Sequence, residues 1–171
     1  MNRKAIIFGI KGFKLTQQER FFLKKNKPWG IILFSRNIKS LHQLKSLIKD
    51  IKEIFSDYKY PILIDQEGGR VSRLNNIIDF SVFTQKSFCK LYKKDKDLFL
   101  KYYKIYISTV SNILNEVGIN INTVPVLDIK NKKTHNIIGD RSYSSNTEIV
   151  SFLGNKCINF YQKKKIFSVI K

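Results

Sequence analysis

An α/β fold built on a parallel sheet is predicted by three features of this chain. Short uninterrupted apolar runs alternate with segments of helical periodicity, the pattern of repeated strand–helix–strand units. The runs lack the in–out alternation of a half-wetted strand, so they read as strands of a sheet covered on both faces. They begin near residues 6, 31, 62, 119 and 166, and a βαβ unit needs about 30 residues. Crossovers of one hand then place successive strands side by side. The excess length falls after the third and fourth strands, where the added loops leave the carboxyl ends of the sheet.

The first strand is predicted at 5–10. Thr16-Gln17-Gln18-Glu19 forms a capping box, so a helix runs to about Lys25. Ile31-Ile32-Leu33-Phe34 is the second strand, and Trp29 is expected to pack just before it. Ser40-Leu41-His42-Gln43 is a second capping box, and Leu41, Leu44, Ile48, Ile51 and Phe55 then mark one helix face. Ile62-Leu63-Ile64 is the third strand. After a long irregular stretch a helix is predicted from about Asp97 to Val117, with Tyr106, Val110, Ile113 and Val117 inward and Gly118 ending it. A fourth strand covers 119–126. A last helix covers about 147–164, with Ile149, Leu153, Cys157 and Phe160 inward, and a fifth strand covers 166–170.

The chain has 171 residues, 43% hydrophobic and 26% charged, with no repeat, linker or composition break. It therefore reads as one domain and excludes a disordered or fibrous chain. Its apolar runs are only a handful of residues long, far short of the roughly 20 that span a bilayer, so no membrane is expected. The basic start at Met1-Asn2-Arg3-Lys4 leads into too short an apolar run for a signal peptide. Cys89 and Cys157 fit neither a metal motif nor a disulfide framework. These points together predict a cytoplasmic protein without metal or cofactor.

The net charge is +19, which taken alone suggests a nucleic-acid partner. However, 26 of the basic residues are Lys and only 6 are Arg, and Lys, Ile and Asn, all with A+T-rich codons, are together abundant. Solvated lysines on outer helix faces account for the charge, and no specific nucleic-acid binding is expected. The stretch from Leu91-Tyr92-Lys93-Lys94 to Lys101-Tyr102-Tyr103-Lys104 interleaves aromatics with lysines, as single-strand binders do. It also reads as an amphipathic helix.

Carboxylates lie at two predicted strand tips. Asp65 opens Asp65-Gln66-Glu67-Gly68-Gly69-Arg70-Val71-Ser72-Arg73 after the third strand. Read by spacing alone, this is either a Gly-Gly turn with a local Asp–Arg pair or a ligand-binding loop. Pro125-Val126-Leu127-Asp128 follows the fourth strand, and its loop carries Ile138-Gly139-Asp140-Arg141-Ser142-Tyr143, where turn and ligand roles are both open. Asp65 with Asp128 is also weighed as a glycosidase carboxylate pair. The Gly-rich segment has neither the dinucleotide nor the P-loop pattern.

The segment Asp65 to Val71, with Arg73, resembles the signature of family-3 glycoside hydrolases, in particular the bacterial β-N-acetylhexosaminidases. Gly30-Ile31-Ile32-Leu33-Phe34-Ser35-Arg36-Asn37, the segment 125–128 and the segment 138–143 match the same family in the same order. The resemblance implies a partial (β/α)8 TIM barrel, about the first five βα units, with residues 1–171 the N-terminal portion of one barrel domain. It implies hydrolysis of terminal β-linked N-acetylglucosamine, with a saccharide or muropeptide as ligand and peptidoglycan recycling as the role. The positions matching Asp65, Arg73, Arg141 and Lys171 bind the sugar in the family. That suits their chemistry, since carboxylates accept from hydroxyls and guanidinium forks donate to oxygens. Gln66, Glu67 and Arg70 read as supports of the loop.

In the family the lysine is followed at once by a histidine-bearing loop resembling K-H-F-P-G-H-G, which supplies the acid/base, and a later strand supplies the aspartate nucleophile. Here Lys171 is the final residue, and the two histidines, His42 and His135, lie elsewhere. The chain is therefore expected to carry the binding half of the site and no catalytic residue. The alternative is a non-enzymatic remnant, or a barrel half that pairs with a C-terminal half on another chain.

Overall fold

The structure is a computed structural model that describes residues 2–131 and 134–171. Its strands are β1 (Lys4–Gly9), β2 (Pro28–Leu33), β3 (Ile62–Ile64), β4 (Ile121–Asn122) and β5 (Phe167–Ser168). Its helices are α1 (Gln17–Asn26), α2 (Leu41–Ile54), α3 (Gln85–Lys94), α4 (Lys96–Val117) and α5 (Thr147–Lys163). The strands form one sheet in the order β1-β2-β3-β4-β5, every neighbouring pair parallel. Growth always in one direction is the strand order of a barrel, whereas a doubly wound sheet reverses at a switch point.

The helices form a continuous layer, α1 touching α2, α2 touching α4, and α4 touching α5. Against that layer the sheet buries Ile31, Leu33, Ile62 and Ile64, each 0% exposed. From the helices come Leu44, Leu47, Ile48 and Ile51 of α2, Phe99, Ile107, Val110 and Leu114 of α4, and Leu153 and Cys157 of α5. Residues paired across parallel strands share a face. The row Ile32, Leu63, Ile121 and Phe167 is in register and alternates with the helix-facing residues, so it lies on the other side. In a closed barrel that side is the interior.

The start of each helix follows local capping chemistry. Thr16 Oγ1 accepts from Glu19 N at 3.1 Å, and Glu19 Oε2 accepts from Thr16 N at 2.9 Å, the expected box. Ser40 accepts from Gln43 N at 3.2 Å, but Gln43 Oε1 reaches past it to Lys39 N at 2.8 Å, so the second box is only half formed. Gly118 ends α4 at φ 90°.

Four expectations are corrected. β1 is not covered on both faces: Ile6 and Ile7 are 41% and 42% exposed, because β1 is an edge strand. Trp29 lies within β2 and is 42% exposed rather than packed. β4 and β5 are shorter than their apolar runs, in β4 because Pro125, after a cis Val124–Pro125 bond, has no N–H to give a ladder. The stretch before residue 97 contains α3, capped by Thr84 and burying Phe88 and Cys89. Asp95 then ends α3 and caps α4, splitting the aromatic–lysine stretch in two. Tyr92 packs edge-on against Phe99 at 5.5 Å and Tyr103 is 3% exposed. Those rings belong to the core, as the amphipathic reading of the stretch requires.

Candidate functional site

Asp65 is the first residue beyond β3, and the loop it opens is built around Gln66. Gln66 is fully buried, and its Oε1 accepts from Arg73 N at 2.7 Å and Leu74 N at 3.1 Å. Its Nε2 donates to Ser72 Oγ at 3.0 Å. The loop thus folds back on one side chain, which brings Arg73 beside Asp65. The Gly-Gly turn lies within it: Gly68 and Gly69 have φ of 89° and 61°. A Cβ on Gly68 would stand 2.1 Å from the Phe83 carbonyl oxygen, so only glycine fits.

The second loop brings Arg141 on a 3-10 turn, Gly139–Arg141. It is pinned from below by Tyr143, whose buried hydroxyl lies 2.6 Å from that of Tyr103 in α4. Arg70 ties the two loops together, donating to the Asn136 and Ile137 carbonyls at 3.0 and 2.7 Å and pairing with Asp140 at 3.4 Å. Asp140 is therefore a turn and tether residue. Lys171 is held by its backbone, accepting from Leu127 N at 2.7 Å and donating to Pro125 O at 3.2 Å.

These supports bring the heads of Asp65, Arg73, Arg141 and Lys171 into one network at the carboxyl end of the sheet. Arg73 Nη2 donates to Asp65 Oδ2 at 3.1 Å. Lys171 Nζ donates to Asp65 Oδ1 and lies 2.6 Å from Glu67 Oε1. Arg141 meets Glu67 through two parallel bonds, Nε to Oε2 at 2.8 Å and Nη2 to Oε1 at 2.9 Å. Thr123 completes the group, its hydroxyl donating to Asp65 Oδ1 at 2.9 Å. The guanidinium of Arg73 also lies 5.7 Å over the Phe34 ring.

The electrostatics follow from this packing. Burial pushes the Asp65 carboxyl up, but Lys171, the Thr123 hydroxyl and Arg73 outweigh it and hold the carboxyl below its usual value. The bonds to Glu67 push Arg141 up, burial notwithstanding. Three cations meet two carboxylates in direct contact, and the Asp128 charge acts on Arg141 from outside the network. Such a cluster suits a neutral, hydroxyl-rich ligand: it offers carboxylate acceptors and guanidinium and ammonium donors in fixed directions.

Asp128 stays outside the cluster's hydrogen bonds, though its charge helps push Arg141 up. Its side chain is exposed and forms no ion pair among the described residues. It lies six residues beyond β4 rather than at the strand tip. His42 and His135 are exposed, and His135 Nδ1 accepts from Ile137 N of its own turn at 3.1 Å. Sequence reasoning gives Glu67 only a loop-supporting role and misses Thr123. For Glu67 a signal exists: it is a second carboxylate two residues after Asp65 in the same motif. Thr123 has none, because it is placed only by the β3–β4 pairing.

A groove of about 590 Å³ lies away from this cluster, between α3 and the second loop, lined by Lys86, Lys90, Lys93 and Lys130 with Ser142 and Ser144. No helix among the described residues is long and apolar enough to cross a membrane.

The profile of the Glycosyl hydrolase family 3 N terminal domain matches residues 4–171. The β-hexosaminidase A of Pseudoalteromonas piscicida is 31% identical over 146 residues, which cover 83% of this chain and 24% of that protein. Native NagZ from Neisseria gonorrhoeae superposes with a TM-score of 0.87 at 28% identity, over 99% of this chain and 49% of that one. NagZ from the same organism in complex with N-trifluoroacetyl-D-glucosamine superposes with a TM-score of 0.86 at 28% identity, over 99% and 50%. The chain thus spans half or less of each of these relatives.

Proposed function

Because this chain belongs to glycosyl hydrolase family 3, we propose that residues 1–171 form the sugar-binding portion of a single β-N-acetylhexosaminidase barrel. The ligand is a terminal β-linked N-acetylglucosamine, on a saccharide or muropeptide, and the role is cytoplasmic recycling of peptidoglycan. Asp65, Arg73, Arg141 and Lys171 hold the sugar, and no cofactor is required. The observation that carries this reading is the convergence of those four side chains, drawn from three separate segments, into one ionised rim. The N-acetylglucosamine analogue bound to the Neisseria protein supports the choice of sugar.

Hydrolysis with retention needs a nucleophile facing an acid/base. By resemblance both belong to segments that follow the lysine matched by Lys171, so the part residues 1–171 supply is the binding of the sugar. The first and last strands support the barrel: Ile7, Phe167 and Ile170 are 42%, 72% and 56% exposed on the edge strands or next to them, where further βα units would cover them. The same edges support the second reading, a non-enzymatic half that assembles with another chain.

Calorimetric titration of N-acetylglucosamine into the chain and into Asp65→Ala tests the proposal. Wild type binds, and the variant loses at least about tenfold in affinity, as expected when a charged acceptor of sugar hydroxyls is removed. Equal affinity in both proteins would overturn the assignment.

A further inference from the structure

We infer that Glu67 is a positioning residue for the sugar, one that sets the spacing of Arg141 and Lys171 before any ligand arrives; this rests on the sugar-binding reading above. The Glu67 side chain is 2% exposed, against 16% for Asp65, so it does not itself face a ligand. Its backbone is fixed on both sides: the N–H donates to Val71 O at 2.9 Å, and the carbonyl accepts from the Tyr106 hydroxyl at 3.1 Å. Both carboxylate oxygens are engaged, Oε2 by Arg141 Nε and Oε1 by Arg141 Nη2 and Lys171 Nζ.

That geometry has a chemical consequence. The parallel fork fixes the plane of the Arg141 guanidinium and leaves Nη1 as its least engaged nitrogen, with only a 3.4 Å contact to Ile137 O. Lys171 donates toward Asp65, Glu67 and, at 3.3 Å, Thr123. The long Thr123 contact is the one a sugar oxygen replaces most easily. Glu67 therefore presents Nη1, the least engaged nitrogen of Arg141, and one exchangeable proton of Lys171 at a set separation. A carboxylate is needed: the amide introduced by Glu67→Gln has one oxygen, so its NH2 would point at a donor of Arg141 or of Lys171.

The test uses the full chain and two readouts. The first needs no ligand: hydrogen exchange of the arginine Nε–H signals by NMR, with Arg141 assigned through Arg141→Lys and Arg70, whose Nε makes only a long 3.4 Å, half-exposed contact to Asp140, as internal reference. Arg141 Nε–H should exchange at least about tenfold more slowly than that of Arg70, since its donor is held by a buried carboxylate. The protection should vanish in Glu67→Gln and persist in part in Glu67→Asp, which keeps the charge. The second readout is N-acetylglucosamine affinity, expected to fall about tenfold or more in Glu67→Gln and less in Glu67→Asp. An Arg141 signal that exchanges like that of Arg70 in wild type overturns the inference even if Glu67→Gln does not fold. So does unchanged sugar affinity in a folded Glu67→Gln. Protection that depends on Glu67 in a protein that binds no sugar would instead sink the sugar reading and leave the positioning of Arg141 standing.

Discussion

The side-chain amide of Asn122 clasps the peptide of Gln66 from both sides: its Oδ1 accepts from Gln66 N at 3.0 Å and its Nδ2 donates to Gln66 O at 2.9 Å. The pair continues the β3–β4 ladder by one rung through a side chain, where the backbone has already turned away. The site loop thereby starts from a fixed point, with Asp65 on one side of the clasp and Glu67 on the other. Asn122 is 0% exposed, so Asn122→Ala would leave two buried backbone groups unpaired. Urea unfolding should show a loss of roughly 2 to 4 kcal/mol. A loss within the range of a neutral surface change would mean the loop is held by other means.

Gly68 offers a steric test. Gly68→Ala places a Cβ 2.1 Å from the Phe83 carbonyl in backbone at φ +89°, whereas a Cβ at Gly12 meets nothing within 4 Å. Gly68→Ala should cost roughly 2 kcal/mol or more by thermal unfolding. Gly12→Ala should stay within about 0.5 kcal/mol. Similar melting temperatures for the two variants would contradict the turn geometry.

Acid should weaken the site through Asp65. Its folded carboxyl lies below the ordinary aspartate value of 3.8, held there by Lys171, Thr123 and Arg73 against the opposing effect of burial. A depressed carboxyl stabilises the fold above its unfolded value, and that contribution is lost as pH falls through the folded value. The stability gap between wild type and Asp65→Asn should therefore be larger at pH 6 than at pH 3. A gap that grows on acidification would reverse the sign and refute the network.

The thiols should be inert. Burial pushes Cys157 up to about 11, with the Tyr103 and Tyr143 hydroxyls too weak to offset it, and Cys89 is raised by burial as well. The folded chain at pH 8 should resist iodoacetamide, and both cysteines should react once urea is added. Rapid labelling without denaturant would show that the core around Tyr103, Tyr143 and Cys157 opens.

The parallel sheet was legible because each strand is an apolar run bracketed by turn residues, and Thr16, Ser40 and Gly118 mark helix ends by local chemistry. Helix α3 escaped because its start, where Thr84 caps the N–H of Ser87, follows a run of loop residues and only Phe88 and Cys89 of its length are strongly apolar and buried. Asp65, Arg73 and Arg141 were legible as residues of motifs. Their sharing of one sugar was implied by the resemblance, but the contacts that set Arg141 on Glu67 and Lys171 on Asp65 were not legible, since they span 74 and 106 positions. Exposure of Ile6 and Ile7 does not show in the composition of β1 but follows once five units of a barrel are counted, since the first strand is then an edge.

The crystal structure of this chain soaked with N-acetylglucosamine tests the account most directly. The sugar should lie at the carboxyl ends of β3 and β5, its hydroxyls within hydrogen-bond distance of Asp65, Arg73, Arg141 and Lys171. A sugar seated instead in the lysine-lined groove beside α3, or no sugar at a concentration that saturates the calorimetric titration, would contradict it.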